Sequence, residues 1–349
     1  MDADPAPGYD PPMRAIVLVG GEATRMRPLS LRTPKQIMPV VHRPLLEHLL
    51  GLLARHGVVN VTLAMMHRND AIRDVIGDGR RLALRIDYAY EDEPLGSGGA
   101  IARTAAGWGE PFLVCNGDIV TELDLTAMAR AHRARGAELS LSLHEVEDPS
   151  GFGVVVVDGA GRVTRFVEKP PRAEAPSRLI NAGVWLFEPH LLAEMDGTCF
   201  NRVEETLFPR LAESGRGIFG YCDDGYWIDV GRPEALLRAN LARVDDASAY
   251  GEGVSVDPSA RIERPVVIGR RSVIAGDAVI ARSLLWDGVR VGAGAVVRDS
   301  VLASNVVIGA GAVVERAIVG HGAVIGSGSR VVETSLDPEV RTDAPAPAR

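Results

Sequence analysis

The chain has 349 residues, 46% of them apolar and 24% charged, and a formal net charge of −8. That length has room for two domains, and the composition is that of an ordinary soluble globular protein. Aromatics make up only 5%, no basic stripe interleaves with them, and no run reaches the ~18 apolar residues of a membrane span, so neither nucleic-acid nor membrane binding is expected. Residues 1–13 are acidic and proline-rich, where a signal peptide needs positive charge and an apolar core, and they read as a disordered tail. Cys115, Cys199 and Cys222 form no C-x-x-C pair and read as reduced core residues of a cytoplasmic protein.

The first element is the most informative. Ala15–Val19 is an apolar run that suits a buried strand, and Gly20-Gly21 follows it. A strand that enters a glycine turn brings backbone N–H groups up to a phosphate. Arg14, Arg25, Arg27, Arg32, Lys35 and Arg43 stand there against one acid, Glu22, in a chain that is otherwise acidic. An anion pocket is the simplest account. Of 38 cationic residues only Lys35 and Lys169 are lysine. A compact ammonium and a planar guanidinium are not interchangeable, so these two positions carry meaning.

Further along, Pro44–His56 has the apolar spacing of a helix face, with Gly57 just past its end. Strands are expected over 58–66 and 84–90, with a short helix over 69–76 between them. Glu93-Pro-Leu-Gly-Ser-Gly-Gly99 precedes a helix over 100–106. Phe112–Asn116 reads as a buried strand that delivers Gly117-Asp118, and a carboxylate at such a strand end suits a Mg²⁺ ligand. A helix is expected over 124–135 and a long strand over 137–146. A hairpin over 154–168 then ends at Glu168-Lys169-Pro170. Strands alternating with helices imply a mostly parallel sheet, with ligands beyond the carboxyl ends of its strands.

After a helix over 233–244 and a linker over 245–253, the period changes. Leu285, Leu302 and Val319 recur every 17 residues, as do Val291, Ile308 and Ile325, each of the latter followed by a glycine. A 17-residue register kept through three copies predicts a β-helix with aliphatics along its axis. His321 is the only histidine in the repeat.

The motifs G-G-x-x-T-R-x-x-P-L-S with P-K, P-L-G-S-G, N-G-D, E-K-P, N-A-G and W-I-D-V-G resemble those of the sugar-1-phosphate nucleotidyltransferases, in the family's order, over roughly residues 14–334. Ala23 and Gln36 depart from its usual pattern; alanine replaces a glycine where φ > 0 is costly. The resemblance implies a Rossmann-like α/β catalytic domain over 14–245, a left-handed parallel β-helix over 254–335 and a loose tail over 337–349. It assigns Arg25, Lys35, Asp118, Lys169 and Asp229 to catalysis, with Asp118 and Asp229 as the Mg²⁺ ligands. Gly20, Gly21, Thr24, Arg25, Glu93, Gly96, Ser97, Gly98 and Gly117 are expected at the nucleotide. Gly153, Glu168, Lys169, Asn181, Gly183 and Glu204 are expected at the sugar phosphate, Glu204 at the start of a helix over 203–213. The motifs look most like GTP:mannose-1-phosphate guanylyltransferases. Thymidylyl- or uridylyltransferases for glucose 1-phosphate remain open, as does a guanylyltransferase for a cyclitol phosphate such as valienol 1-phosphate. A silent regulatory subunit and an acyltransferase using His321 are weaker alternatives. A homo-oligomer is expected.

Overall fold

The structure, a computed structural model, describes residues 13–21, 23–66 and 69–342. The tail expected over 1–13 therefore lies outside the described residues, except for Met13, which is buried. The chain forms two compact units. Among the described residues, one holds 13–21, 46–66 and 69–227, the other 23–45 and 228–342. The signature segment 23–45, which carries the T-R and P-K parts of the first motif and is expected within the catalytic domain, thus belongs to the second unit, while Gly20 and Gly21 stay in the first.

The first unit is built on a nine-stranded sheet. Its strands are β1 (Arg14–Leu18), β2 (Asn60–Met65), β3 (Arg85–Tyr90), β4 (Phe112–Asn116), β5 (Leu139–Glu145), β6 (Gly153–Val157), β7 (Val163–Glu168), β8 (Leu179–Phe187) and β9 (Ile218–Cys222). The order is β7-β6-β8-β4-β1-β2-β3, with β5 on β8 and β9 on β5. β4, β1, β2 and β3 run parallel, while β8 is antiparallel to β4, β5 and β6. The sheet is Rossmann-like at one side and mixed at the other. The helix Leu45–Arg55 follows its apolar spacing. Leu125–Arg135 starts where Asp124 accepts a hydrogen bond from the Ala127 N–H (2.9 Å) and ends at left-handed Gly136. The aromatic core is Phe112, Phe187, Trp185 and Phe208, all fully buried. The rings of Phe112 and Phe187 are stacked 5.6 Å apart and those of Trp185 and Phe208 meet edge-on at 5.1 Å. Such pairs each add about 0.5–1.5 kcal/mol beyond area burial.

The second unit contains the helix Pro233–Ala242 and three stacked sheets of six, six and five short parallel strands, the coils of a left-handed parallel β-helix. Leu285 pairs with Leu302 and Leu302 with Val319, and Val291 pairs with Ile308 and Ile308 with Ile325. The 17-residue register is therefore the rung-to-rung register. Each coil turns its three corners through left-handed residues in the same register. One corner stacks Asp277, Gly294, Gly311 and Gly328, another Gly288, Asn305, Gly322 and Glu339, and the third Arg282, Asp299, Arg316 and Glu333. At the third corner Arg282 pairs with Asp299 through two 2.7 Å hydrogen bonds, and Arg316 with Glu333 at 2.7 Å. Opposite charges stacked this way offset part of the cost of placing bulky residues at φ > 0.

Two boundaries differ from those read in the sequence. Ser248–Tyr250 is not linker but the first strand of a β-helix sheet, paired with Val266–Ile268. Likewise Arg341–Thr342 pairs with Val324–Ile325, so the expected tail over 337–349 still holds a strand; residues 343–349 lie outside the described residues. Both strands have too few apolar residues to betray a rung, since end coils bury only one face. Only Cys115 is a core cysteine, its thiol pushed up to about 12 by burial; Cys199 and Cys222 are exposed. Cys199 sits in a loop whose carbonyl turns inward, and its thiol donates outward to Asp196 (3.3 Å).

Candidate active site

In the first unit β4 and β1 end side by side. The Gly117 N–H donates to the Leu18 carbonyl (2.9 Å), and a Cβ on Gly117 would lie 2.9 Å from that oxygen. Glycine is required here for close strand packing, and the packing places Asp118 beside the strand end that leads into Gly20 and Gly21. Neither of those two glycines has an atom within 4 Å of where a Cβ would sit, and Gly21 has φ 97°. The turn is thus open on the side where their side chains would stand, which leaves room for a ligand to approach the backbone.

Asn181-Ala-Gly183 is brought to the same edge by a β-bulge. The register of β8 slips between Asn181 and Trp185, and Gly183 takes φ 81°. A Cβ on Gly183 would fall 2.8 Å from Asn116 Nδ2, so the N-A-G and N-G-D motifs touch. The Asn181 carboxamide accepts from Trp185 Nε1 (2.7 Å) and the Gly183 N–H (3.2 Å), which fixes its orientation. Trp227, whose indole donates to the Ala182 carbonyl (2.8 Å), packs 5.6 Å from the Phe152 ring and 5.3 Å from the His144 ring. Phe152 and His144 escaped sequence reading because neither belongs to a charged motif.

Glu168 and Gly153 face each other across the hairpin, and a Cβ on Gly153 would meet the Glu168 carboxylate at 2.9 Å. Lys169 stands at φ 46°, with its N–H on the Phe152 carbonyl (3.0 Å) and its ammonium 2.5 Å from Glu168 Oε1. Burial raises the pKa of Glu204 above the ordinary carboxylate value, and the nearby Glu168 charge pushes the same way. Glu204 accepts from the Ser97 hydroxyl (2.5 Å), which in turn accepts from the Val203 N–H (3.0 Å). Glu204 lies in a turn before the helix Leu207–Glu213, which starts later than the sequence suggests.

The glycine loop also differs from its expected form. The helix begins at Gly96, not at 100, and its glycines press against residues 196–202. A Cβ on Gly96 would lie 2.3 Å from the Asn201 carbonyl oxygen, and one on Gly98 1.8 Å from Asn201 Oδ1. Glycine is therefore required at both positions by a packing contact within the chain. Glu93 is exposed; the neighbouring Glu91 accepts from the Leu95 N–H (3.0 Å) and closes the loop.

The second unit carries Thr24, Arg25, Lys35 and Asp229. Ala23 adopts φ 48°, ψ 38°, the left-handed conformation that the glycine-to-alanine departure made costly; its carbonyl accepts from the Ser30 hydroxyl (2.8 Å) and the Met26 N–H (2.9 Å). Thr24 and Arg25 start the 3-10 turn Thr24–Met26. Asp229 Oδ1 and Arg25 Nη2 lie 2.6 and 3.4 Å from the point where a Gly231 Cβ would be, so the W-I-D-V-G glycine leaves room for both. Lys35 is 8% exposed in a turn, Lys35–Ile37. The hairpin Pro39–Pro44 behind it is held by Asn240, fully buried, which accepts from the Val41 N–H (2.8 Å) and donates to the Pro39 carbonyl (3.1 Å). Sequence reading passed over Asn240, although a lone asparagine on the apolar face of a helix was a usable signal.

A Rossmann-like sheet with glycines, carboxylates and an ammonium gathered at its strand ends defines a nucleotide-handling α/β enzyme. Residues 14–246 match the family model described as Nucleotidyl transferase, and residues 244–339 match the GMPPB C-terminal domain. The chain is 36% identical over 294 residues to mannose-1-phosphate guanylyltransferase of Mycobacterium tuberculosis, covering 80% of this chain and 81% of that protein. It is 30% identical over 308 residues to mannose-1-phosphate guanylyltransferase 1 of Arabidopsis thaliana, covering 80% and 82%. The crystal structure of HddC from Yersinia pseudotuberculosis complexed with GMP-PN superposes with a TM-score of 0.56 at 26% identity, covering 65% of this chain and 98% of HddC. The chain belongs to the nucleotidyl transferase family, and its activity is sugar-phosphate nucleotidyl transfer. Among the described residues, no helix is long and apolar enough to cross a membrane.

Proposed function

We propose that the protein is a Mg²⁺-dependent GTP:mannose-1-phosphate guanylyltransferase. An oxygen of the sugar 1-phosphate attacks the α-phosphorus of GTP in line. A P–O bond forms there as the bond to the β-phosphate oxygen breaks and pyrophosphate departs. Such chemistry asks the protein for positioning and charge neutralisation. Arg25 and the N–H groups of Gly20 and Gly21 hold the leaving pyrophosphate. Lys35 and Lys169 neutralise the reacting phosphates, while Glu168, Asn181 and Glu204 hold the sugar hydroxyls.

The observation that carries this reading is the contact of Gly183 with Asn116, which sets a sugar-type motif against the strand end bearing Asp118. The identity to two mannose-1-phosphate guanylyltransferases over four-fifths of the chain supports the choice of substrates. Asp118 and Asp229 are the ligands this reading assigns to Mg²⁺. The donor set fits, since carboxylate oxygens suit a hard cation and substrate phosphate oxygens would fill the remaining positions. When bound, the ion supplies charge stabilisation at the α-phosphate. We place the protein in the cytoplasm as a homo-oligomer.

The test is pyrophosphate release across GTP, ATP, UTP and dTTP with mannose, glucose and valienol 1-phosphates. GTP with mannose 1-phosphate is expected to lead by at least tenfold in kcat/KM, and another leading pair would replace this substrate assignment. Asp118→Asn should cut kcat by on the order of 10²-fold or more, the loss typical of an electrostatic stabiliser. Near-normal turnover of that variant at saturating Mg²⁺ would remove Asp118 from its role.

A further inference from the structure

The signature segment is anchored on both sides of Lys35 by its own unit. Behind it stands the Asn240 clamp on Pro39 and Val41. Ahead of it, Thr33 Oγ1 and His321 Nε2 share a 3.0 Å hydrogen bond, and Arg32 pairs with Glu339 at 2.8 Å. His321 and Glu339 occupy successive coils of the β-helix, and the Glu339 N–H donates to the His321 carbonyl (2.8 Å). Trp286, 3% exposed, backs the imidazole edge-on at 5.3 Å, with its own buried indole N–H lacking a hydrogen-bond partner. The imidazole is therefore wedged between a rigid indole and Thr33, the residue two before Lys35.

We propose that His321 is a positioning residue for nucleotidyl transfer. Through Thr33 it fixes the turn Lys35–Ile37, and with it the Lys35 ammonium. The β-helix is then part of the catalytic apparatus and not merely an appended repeat. A hydrogen bond from coil to turn has a use beyond holding the unit together, because a 1 Å misplacement of a catalytic group can cost on the order of 10²-fold in rate. The kinetic part of this inference rests on the function proposed above; the anchoring part does not.

Two readouts separate them. Hydrogen exchange of peptides covering 29–45 is compared in the full-length wild type, His321→Ala, His321→Gln and Thr33→Val. The protection of the Ile37 and Met38 amides, bonded to Pro34 and Lys35 at 3.1 Å each, is expected to fall in His321→Ala and Thr33→Val and to recover in His321→Gln, whose amide can reach Thr33. In the pyrophosphate assay, kcat should fall roughly 10- to 100-fold in both truncations, with the KM for sugar 1-phosphate unchanged. The double variant should be no worse than either single one, as two halves of one interaction require. Unchanged protection in His321→Ala, or additive losses in the double variant, would overturn the proposal. A wild type silent toward every substrate pair would sink only the function assignment, since exchange still decides the anchoring.

Discussion

Gly96→Ala puts a number on the finding that the glycine helix packs against protein. At φ 69° a side chain costs about 1–2 kcal/mol. The added methyl would lie 2.3 Å from the Asn201 carbonyl oxygen, a backbone atom with no rotamer to retreat into. Relief requires residues 199–204 to move away, breaking the bonds from the Gly98 N–H to the Asn201 carbonyl (3.0 Å) and from the Asn201 N–H to the Leu95 carbonyl (2.9 Å). At about 0.5–1.5 kcal/mol each, these bring the expected destabilisation to roughly 2–5 kcal/mol. The same displacement parts Ser97 from Glu204, so the KM for sugar 1-phosphate should rise along with that for the nucleotide. Urea unfolding gives the stability and pyrophosphate release gives both KM values. A variant within 0.5 kcal/mol of wild type, with only the nucleotide KM raised, would mean that Gly96 serves the nucleotide directly and that the packing argument is wrong.

Ala23→Gly removes left-handed strain of about 1–2 kcal/mol and adds unfolded-state entropy worth about 0.4–1 kcal/mol. The urea midpoint should therefore hold or rise slightly, and a clear loss of stability would contradict the assigned φ. Ile308→Ala, in the fully packed axis of the β-helix, should cost about 2–5 kcal/mol in urea unfolding. Two groups give testable parts of the acid response. Burial lowers the pKa of His132, which contacts Ser140 at 2.8 Å and Glu188 at 3.2 Å, so the unfolded chain binds its proton first and stability drops as pH falls below 6.5. His132→Gln should flatten the unfolding curve between pH 7 and 5. Glu138 is held at about 2, chiefly by Arg216 and then by His190 and the Gly217 N–H. Its contribution is present above about 4.5 and fades as pH falls toward 2, and Arg216→Gln should shrink that limb of the curve, leaving the part due to His190 and the Gly217 N–H.

What the sequence determined by itself is local and periodic. Apolar runs marked the strands that carry Gly20 and Asp118, the 3.6-residue spacing marked the helix Leu45–Arg55, and the 17-residue repeat of Leu285, Leu302 and Val319 became the stacking register of the β-helix. These are legible because burial of one face imposes a period on the chain. The motifs marked residue types whose chemistry suits phosphate and sugar, but not which of them would touch. Only the tertiary structure decided that the bulge at Gly183 meets Asn116, that Gly96 and Gly98 pack on Asn201, and that Ser248–Tyr250 is a rung. It also decided that the segment bearing Lys35 is tied to Asn240 and His321, some 200 and 290 residues away. Such contacts depend on one backbone meeting another at close range, and no periodicity in the chain records a meeting between residues so far apart.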